Sequence, residues 1–179
     1  DVAEEWGVTD PYGRGRYVTF LHANYDGWPD LYVTNYPPRP DEQVSENHLF
    51  INVGGAGFVP APEFGVDGPV GDWCAVTTDF DNDGDDDLVV CGEGPVRMYA
   101  NQGGTGFIDV ALANGFTQRF LGAAFADIDG DGDVDVAFST PTSFAIRRLQ
   151  NGVNAGQVFS YPATDGHLVA FGEISGDGI

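Results

Sequence analysis

Two stretches of the chain set carboxylates at alternate positions around a glycine: DFDNDGDDDLVV at 79–90 and DIDGDGDVDVAF at 127–138. Each reads D-x-D-x-D-G-x-x-D and then runs into β-branched or aromatic residues. Carboxylates at loop positions 1, 3 and 5 converge on one ion when the backbone curls around it. Glycine at position 6 allows the sharp turn, a carbonyl serves from position 7, and position 9 closes the cage. Hard oxygen donors in that number favour Ca²⁺; Mg²⁺ keeps its waters, and the thiolate or imidazole sets that suit zinc are missing. Without a cation, so many carboxylates in one turn would repel one another. The expected ligands are Asp79, Asp81, Asp83 and Asp87 with the Asp85 carbonyl, then Asp127, Asp129, Asp131 and Asp135 with the Asp133 carbonyl. The side chains of Asp85, Asp86 and Asp133 are expected to face solvent.

Two weaker copies exist. HANYDGWPDLYV at 22–33 keeps Asp26, Gly27 and Asp30 but carries His22 and Asn24 at positions 1 and 3. Imidazole is a poor Ca²⁺ ligand, so Asn24, Asp26 and Asp30 are secondary candidates. EISGDGI at 173–179 offers Glu173, Ser175 and Asp177 without a ninth position. Two Ca²⁺ sites are expected, with four as the upper limit. An EF-hand is rejected: position 12 is Val90 in one loop and Phe138 in the other, where that motif needs a bidentate glutamate between helices.

These loops recur in phase with two further markers. LFINVGGAGF at 49–58, MYANQGGTGF at 98–107 and, more loosely, RLQNGVNAGQVF at 148–159 align on Asn52, Asn101 and Asn151. DVAEEWGV at 1–8 is echoed by DVALANGF at 109–116. A proline-bearing insertion at 35–46 lengthens the first interval. In the second unit a strand over 75–79 enters the acidic loop and 88–90 leaves it. A third strand near 96–101 turns through Gly103, Gly104 and Gly106, and a fourth starts at Phe107. Four short strands in about 45–60 residues make one propeller blade. The expected fold is all-β, a single segment over 1–179 of tandem four-stranded β-propeller blades. About three blades and the start of a fourth are present, an incomplete ring, with repeats near 1–57, 58–106, 107–158 and 159–179. Period alone does not separate this from a solenoid or a sandwich.

The charge balance, 28 acidic residues against 7 basic ones and a net charge of −21, excludes a nucleic acid backbone or an anionic lipid surface as partner. The plain reading of that charge is a solvated acidic surface; the recurrent spacing favours bound cations. No apolar run reaches the roughly 20 residues of a membrane-spanning helix. Cys74 and Cys91 flank one acidic loop and would oppose each other across its hairpin, which leaves a disulfide and two buried thiols both open. Trp6, Trp28 and Trp73 with Tyr12, Tyr25, Tyr32 and Tyr36 read either as a sugar or peptide site or as ordinary packing. His22, His48 and His167 are scattered, and no GxSxG, P-loop or HExxH motif is present. The chain is therefore expected to be non-catalytic.

The two full acidic loops and the NxGGxGF turns resemble the FG-GAP and VCBS-type repeats of integrin-α-like β-propellers, closest to secreted cartilage-acidic-protein-like and bacterial members. The resemblance covers nearly the whole chain. It implies calcium in the loop joining two strands of a blade, and a role in extracellular adhesion, recognition or scaffolding. The expected location is extracellular or periplasmic, and the expected partner a protein or glycan. Alternatives are a carbohydrate-binding propeller, an accessory subunit of a larger complex, or part of an enzyme. Both ends cut a repeat, so further sequence or another chain is expected to complete the ring.

Overall fold

The computed structural model describes residues 2–37, 46–68 and 71–162. Within them the chain forms twelve strands and one 3-10 turn at Pro62–Phe64. The strands are β1 (Gly15–Leu21), β2 (Asp30–Asn35), β3 (His48–Asn52), β4 (Phe58–Pro60), β5 (Asp72–Thr78), β6 (Asp87–Gly92), β7 (Arg97–Asn101), β8 (Phe107–Asp109), β9 (Gly122–Ala126), β10 (Asp135–Ser139), β11 (Ser143–Gln150) and β12 (Val153–Pro162). They make three separate four-stranded antiparallel sheets, each a meander in chain order. These are successive propeller blades, without a closed ring among the described residues. The glycine turns lie inside a blade: Phe58 and Phe107 open the fourth strand of the sheet that precedes them.

Side-chain alternation explains how blades stack. Every residue of β6 is buried, because its two faces meet two different neighbours. Leu88 and Val90 join Leu21, Tyr32, Leu49 and Tyr99 in a core between the first and second blades. Val89 and Cys91 join Met98, Phe116, Phe120, Phe138 and Leu149 in a core between the second and third. Stacked Phe120 and Phe138, with centroids 4.1 Å apart, and the edge-on Phe116 form the centre of that second core. A central blade that is apolar on both faces cannot fold without its neighbours, as expected of a repeat architecture.

The segments at 2–8 and 110–116 are single turns leading into the next blade, closed by Trp6 N–H donating to the Val2 carbonyl and Asn114 N–H to the Val110 carbonyl. Cys74 and Cys91 are paired directly across β5 and β6 and form a disulfide. The third glycine turn differs from the others. Asn151 and Gly152 both take left-handed φ, 47° and 75°, and close a tight hairpin between β11 and β12.

Candidate metal centre

The acidic loops join β1 to β2, β5 to β6 and β9 to β10, so all three sit at the same end of successive blades. In each, the position-9 aspartate is buried and stapled by two backbone N–H groups. Asp87 Oδ2 accepts from Phe80 N at 3.0 Å and its Oδ1 from Asn101 N at 2.9 Å. Asp135 repeats this with Ile128 N at 3.2 Å and Leu149 N at 3.0 Å. Asp30 does so with Ala23 N at 2.9 Å and Asn52 N at 2.8 Å. One oxygen fixes the loop and the other fixes the third strand of the same blade. The structural counterpart of Asn52 and Asn101 in the third blade is therefore Leu149, two residues before the Asn151 suggested by the sequence alignment.

Two loops gather carboxylates. Oxygens of Asp79, Asp81 and Asp87 lie within 4.8 Å of one another, as do those of Asp127, Asp129 and Asp135. These are positions 1, 3 and 9. Asp83 and Asp131, at position 5, stay outside the two groups, and each accepts the N–H two residues on, at 3.0 and 2.9 Å. Position 1 shapes the turn: Asp79 accepts from Asp83 N and Gly84 N, and Asp127 from Gly130 N and Gly132 N. Those glycine N–H donors hold the Asp127 carboxyl below the usual carboxylate range.

Asp81, Asp87 and Asp135 are held in the opposite sense. Burial, followed by the charges of Asp83 and Asp79, raises Asp81. Burial pushes Asp87 up to about 7, with Asp81 and Asp83 adding to it against the two N–H bonds. Asp135 is raised by burial as well. Asp81 Oδ1 is buried and has no hydrogen-bond partner. A buried carboxylate oxygen left unmatched beside two other carboxylates could hold a cation, because binding one would offset both the desolvation and the mutual repulsion. The donor set is all oxygen, which suits Ca²⁺. In the third loop Arg148 Nε lies 3.2 Å from Asp129 Oδ2, so a guanidinium shares that more open cluster.

The first loop gathers no such group among the described residues. Asn24 Nδ2 donates to Asp26 Oδ2 at 3.1 Å and Asn24 Oδ1 accepts from Asp26 N, so an amide does there what a cation would do elsewhere. His22 bonds to Asp86 of the next loop, through its N–H at 2.7 Å and its Nδ1 at 3.1 Å. Asp86 and Asp133 thus depart from the expectation of solvated side chains, since both are half-buried and hold neighbouring elements. Asp133 Oδ1 accepts from Asn82 Nδ2 at 2.7 Å and its Oδ2 from Asn151 N at 3.3 Å. Both residues sit where one loop meets the next blade, a proximity that spacing along the chain does not reveal. The expected ligands Glu173, Ser175 and Asp177 lie outside the described residues.

A family profile described as FG-GAP-like repeat matches residues 23–90 and again 79–138. The chain belongs to the FG-GAP-like repeat family. In this FG-GAP-like chain the two overlapping matches take in all three described acidic loops except His22. Among solved structures, a chain of the Tc holotoxin pore of Photorhabdus luminescens is similar, with a TM-score of 0.48 and 20% identity over 89% of this chain and 7% of that one. No curated protein matches the chain.

Proposed function

We propose that this chain is a Ca²⁺-stabilised β-propeller module for recognition, adhesion or scaffolding, and that it does no catalysis. The observation that carries the reading is the Asp81 oxygen, buried and unpartnered inside a group of three carboxylates. Bound Ca²⁺ would be held by Asp79, Asp81 and Asp87 in the second blade and by Asp127, Asp129 and Asp135 in the third. Its chemistry there is charge neutralisation at a hairpin bend. The non-catalytic reading draws support from the sequence, which carries no GxSxG, P-loop or HExxH motif. Sites of this kind fill where calcium is plentiful, which favours an extracellular or periplasmic setting.

A second observation bears on the partner. Val18 and Phe20 on β1 are 59% and 60% exposed, at positions equivalent by register to Ala75 and Thr77, which face the preceding blade. We infer that another blade packs against β1, whether from a longer polypeptide or another chain. No helix among the described residues is long and apolar enough to cross a membrane.

Thermal unfolding with and without calcium tests the main reading. A ligand that binds only the folded state stabilises it by about 2.7 kcal/mol at a hundredfold excess over Kd. A melting temperature that climbs with millimolar CaCl₂ and drops back with chelator supports the proposal; an unmoved one rejects it.

A further inference from the structure

The seven basic residues are all arginines, and in a chain of net charge −21 their placement is informative. Two of them, Arg16 and Arg119, line an open groove of about 690 Å³ at the strand ends opposite the acidic loops, and Arg14 lies beside it at Tyr36. Its wall is made by the first strands of all three blades, β1, β5 and β9. Two irregularities aim side chains into it. The β1–β2 register slips between Gly15 and Tyr17, and the β5–β6 register between Asp72 and Cys74, so Arg16 and Trp73 are the extra, unpaired residues of two β-bulges. Bulges at equivalent positions of neighbouring blades re-aim a side chain at the cost of a ladder pair, a device common beside binding sites.

The arginines lie over aromatic rings. Arg119 lies 4.7 Å from the centroid of Trp73, and its Nε donates to the Gly92 carbonyl at 3.0 Å. Trp73 Nε1 donates to the Leu121 carbonyl at 3.0 Å, which fixes the indole. Arg16 and Arg14 lie over Tyr36 at 5.3 and 5.5 Å. A guanidinium carries its N–H donors in a fork geometry that matches a carboxylate. Among the described residues neither Arg16 nor Arg119 pairs with a carboxylate; the one acidic residue lining the groove is Glu93. Tyr17 and Tyr36 are 43% and 38% exposed, so aromatic surface remains for a ligand.

We propose that this groove binds a carboxylate-bearing sugar of the uronic-acid type. The guanidinium edges take the carboxylate, and the tyrosine rings take an apolar sugar face. An open groove of this volume, with aromatic walls and two arginines, suits a short acidic oligosaccharide. The inference names a ligand for the recognition module proposed above, and so rests on that reading. It uses the rim remote from the metal loops.

Calorimetric titration of the full chain in calcium with cellobiouronic acid, and with neutral cellobiose, tests it. The expected result is saturable binding of the acid alone, weakened by salt, and about tenfold weaker in Arg119→Gln and in Arg16→Gln. Both variants should keep the calcium-dependent melting of the parent, which separates loss of this site from failure of the metal reading. Absence of heat with cellobiouronic acid, equal affinity for cellobiose, undiminished binding by the Arg16→Gln/Arg119→Gln pair, or tighter binding of a poly-glutamate peptide would each overturn the proposal. If the arginine variants fail to melt cooperatively, Tyr17→Ala takes their place and must weaken binding.

Discussion

The side-chain amide of Asn82 reaches 2.7 Å to Asp133 Oδ1, tying the acidic loop of the second blade to that of the third. The same amide also donates to the Gly132 carbonyl at 3.1 Å. Asn82 has φ of 63°, a left-handed conformation that asparagine adopts more readily than most residues. Asn82→Gly removes the bridge and keeps the backbone relaxed, whereas Asn82→Ala removes the bridge and adds strain. The loss of the bridge should cost about 1 kcal/mol in each variant, with up to about 1–2 kcal/mol more for alanine. Chemical denaturation that ranks wild type above glycine above alanine supports this; equal stabilities would contradict it.

Glycine turns also reach the loops of the preceding blade. A Cβ on Gly152, where φ is 75°, would stand 2.9 Å from Phe80 Cδ2 and 3.1 Å from Asp81 Cβ. Gly104 stands in the same relation to the first loop, 2.8 Å from Tyr25 Cδ2 and 3.0 Å from the Asn24 carbonyl. Gly152→Ala should therefore weaken calcium binding in the second loop by several-fold although Gly152 is no ligand, and Gly104→Ala should lower stability and leave calcium binding intact. Terbium luminescence paired with melting curves separates the two outcomes.

The buried carboxylates make the metal-free protein sensitive to pH in a defined direction. Asp87 is raised from its ordinary 3.8 to about 7, and Asp81, Asp135 and Asp30 are raised too, with burial the first cause in each. Between those two values the folded state holds more protons than the unfolded one, so stability falls as pH rises. In chelator, the melting temperature should drop on going from mildly acidic to neutral pH. Saturating calcium favours the ionised carboxylates and should flatten that drop. A chelated protein that grows more stable towards neutrality would refute this.

The Cys74–Cys91 disulfide closes a loop of sequence separation 17 around the second acidic loop. Restricting the unfolded chain to that extent is worth about 3 kcal/mol. The Cys74→Ala/Cys91→Ala pair should lose roughly that much in equilibrium denaturation, and calcium should still stabilise it.

The blades were legible because the same residue types return in phase: a D-x-D-x-D-G loop, an asparagine–glycine turn and a strand on either side. The FG-GAP-like resemblance and the four-strand unit followed from those returns. What escaped was set by contacts between blades. Asp86 and Asp133 read as solvated because nothing near them in sequence needs them; His22 and Asn82 reach them across 64 and 51 residues. Asp87 and Asp135 read as the last ligands of a cage, and their second task of fixing two N–H groups appears only once the third strand lies alongside. Asn151 misaligned because the third hairpin is tighter, with Leu149 buried where Asn52 and Asn101 stand in the other blades. Trp73 and Tyr36 read in the sequence either as a sugar or peptide site or as ordinary packing, and the bulges that bring Arg16 and Trp73 into one groove leave no mark in composition.

Titration of calcium into the chelator-stripped chain, followed by calorimetry, tests the central claim most directly. The account predicts binding in both full loops, with one site lost in Asp81→Asn, one in Asp129→Asn, and both in the double variant. Undetectable binding, or binding that survives the double variant, would contradict it.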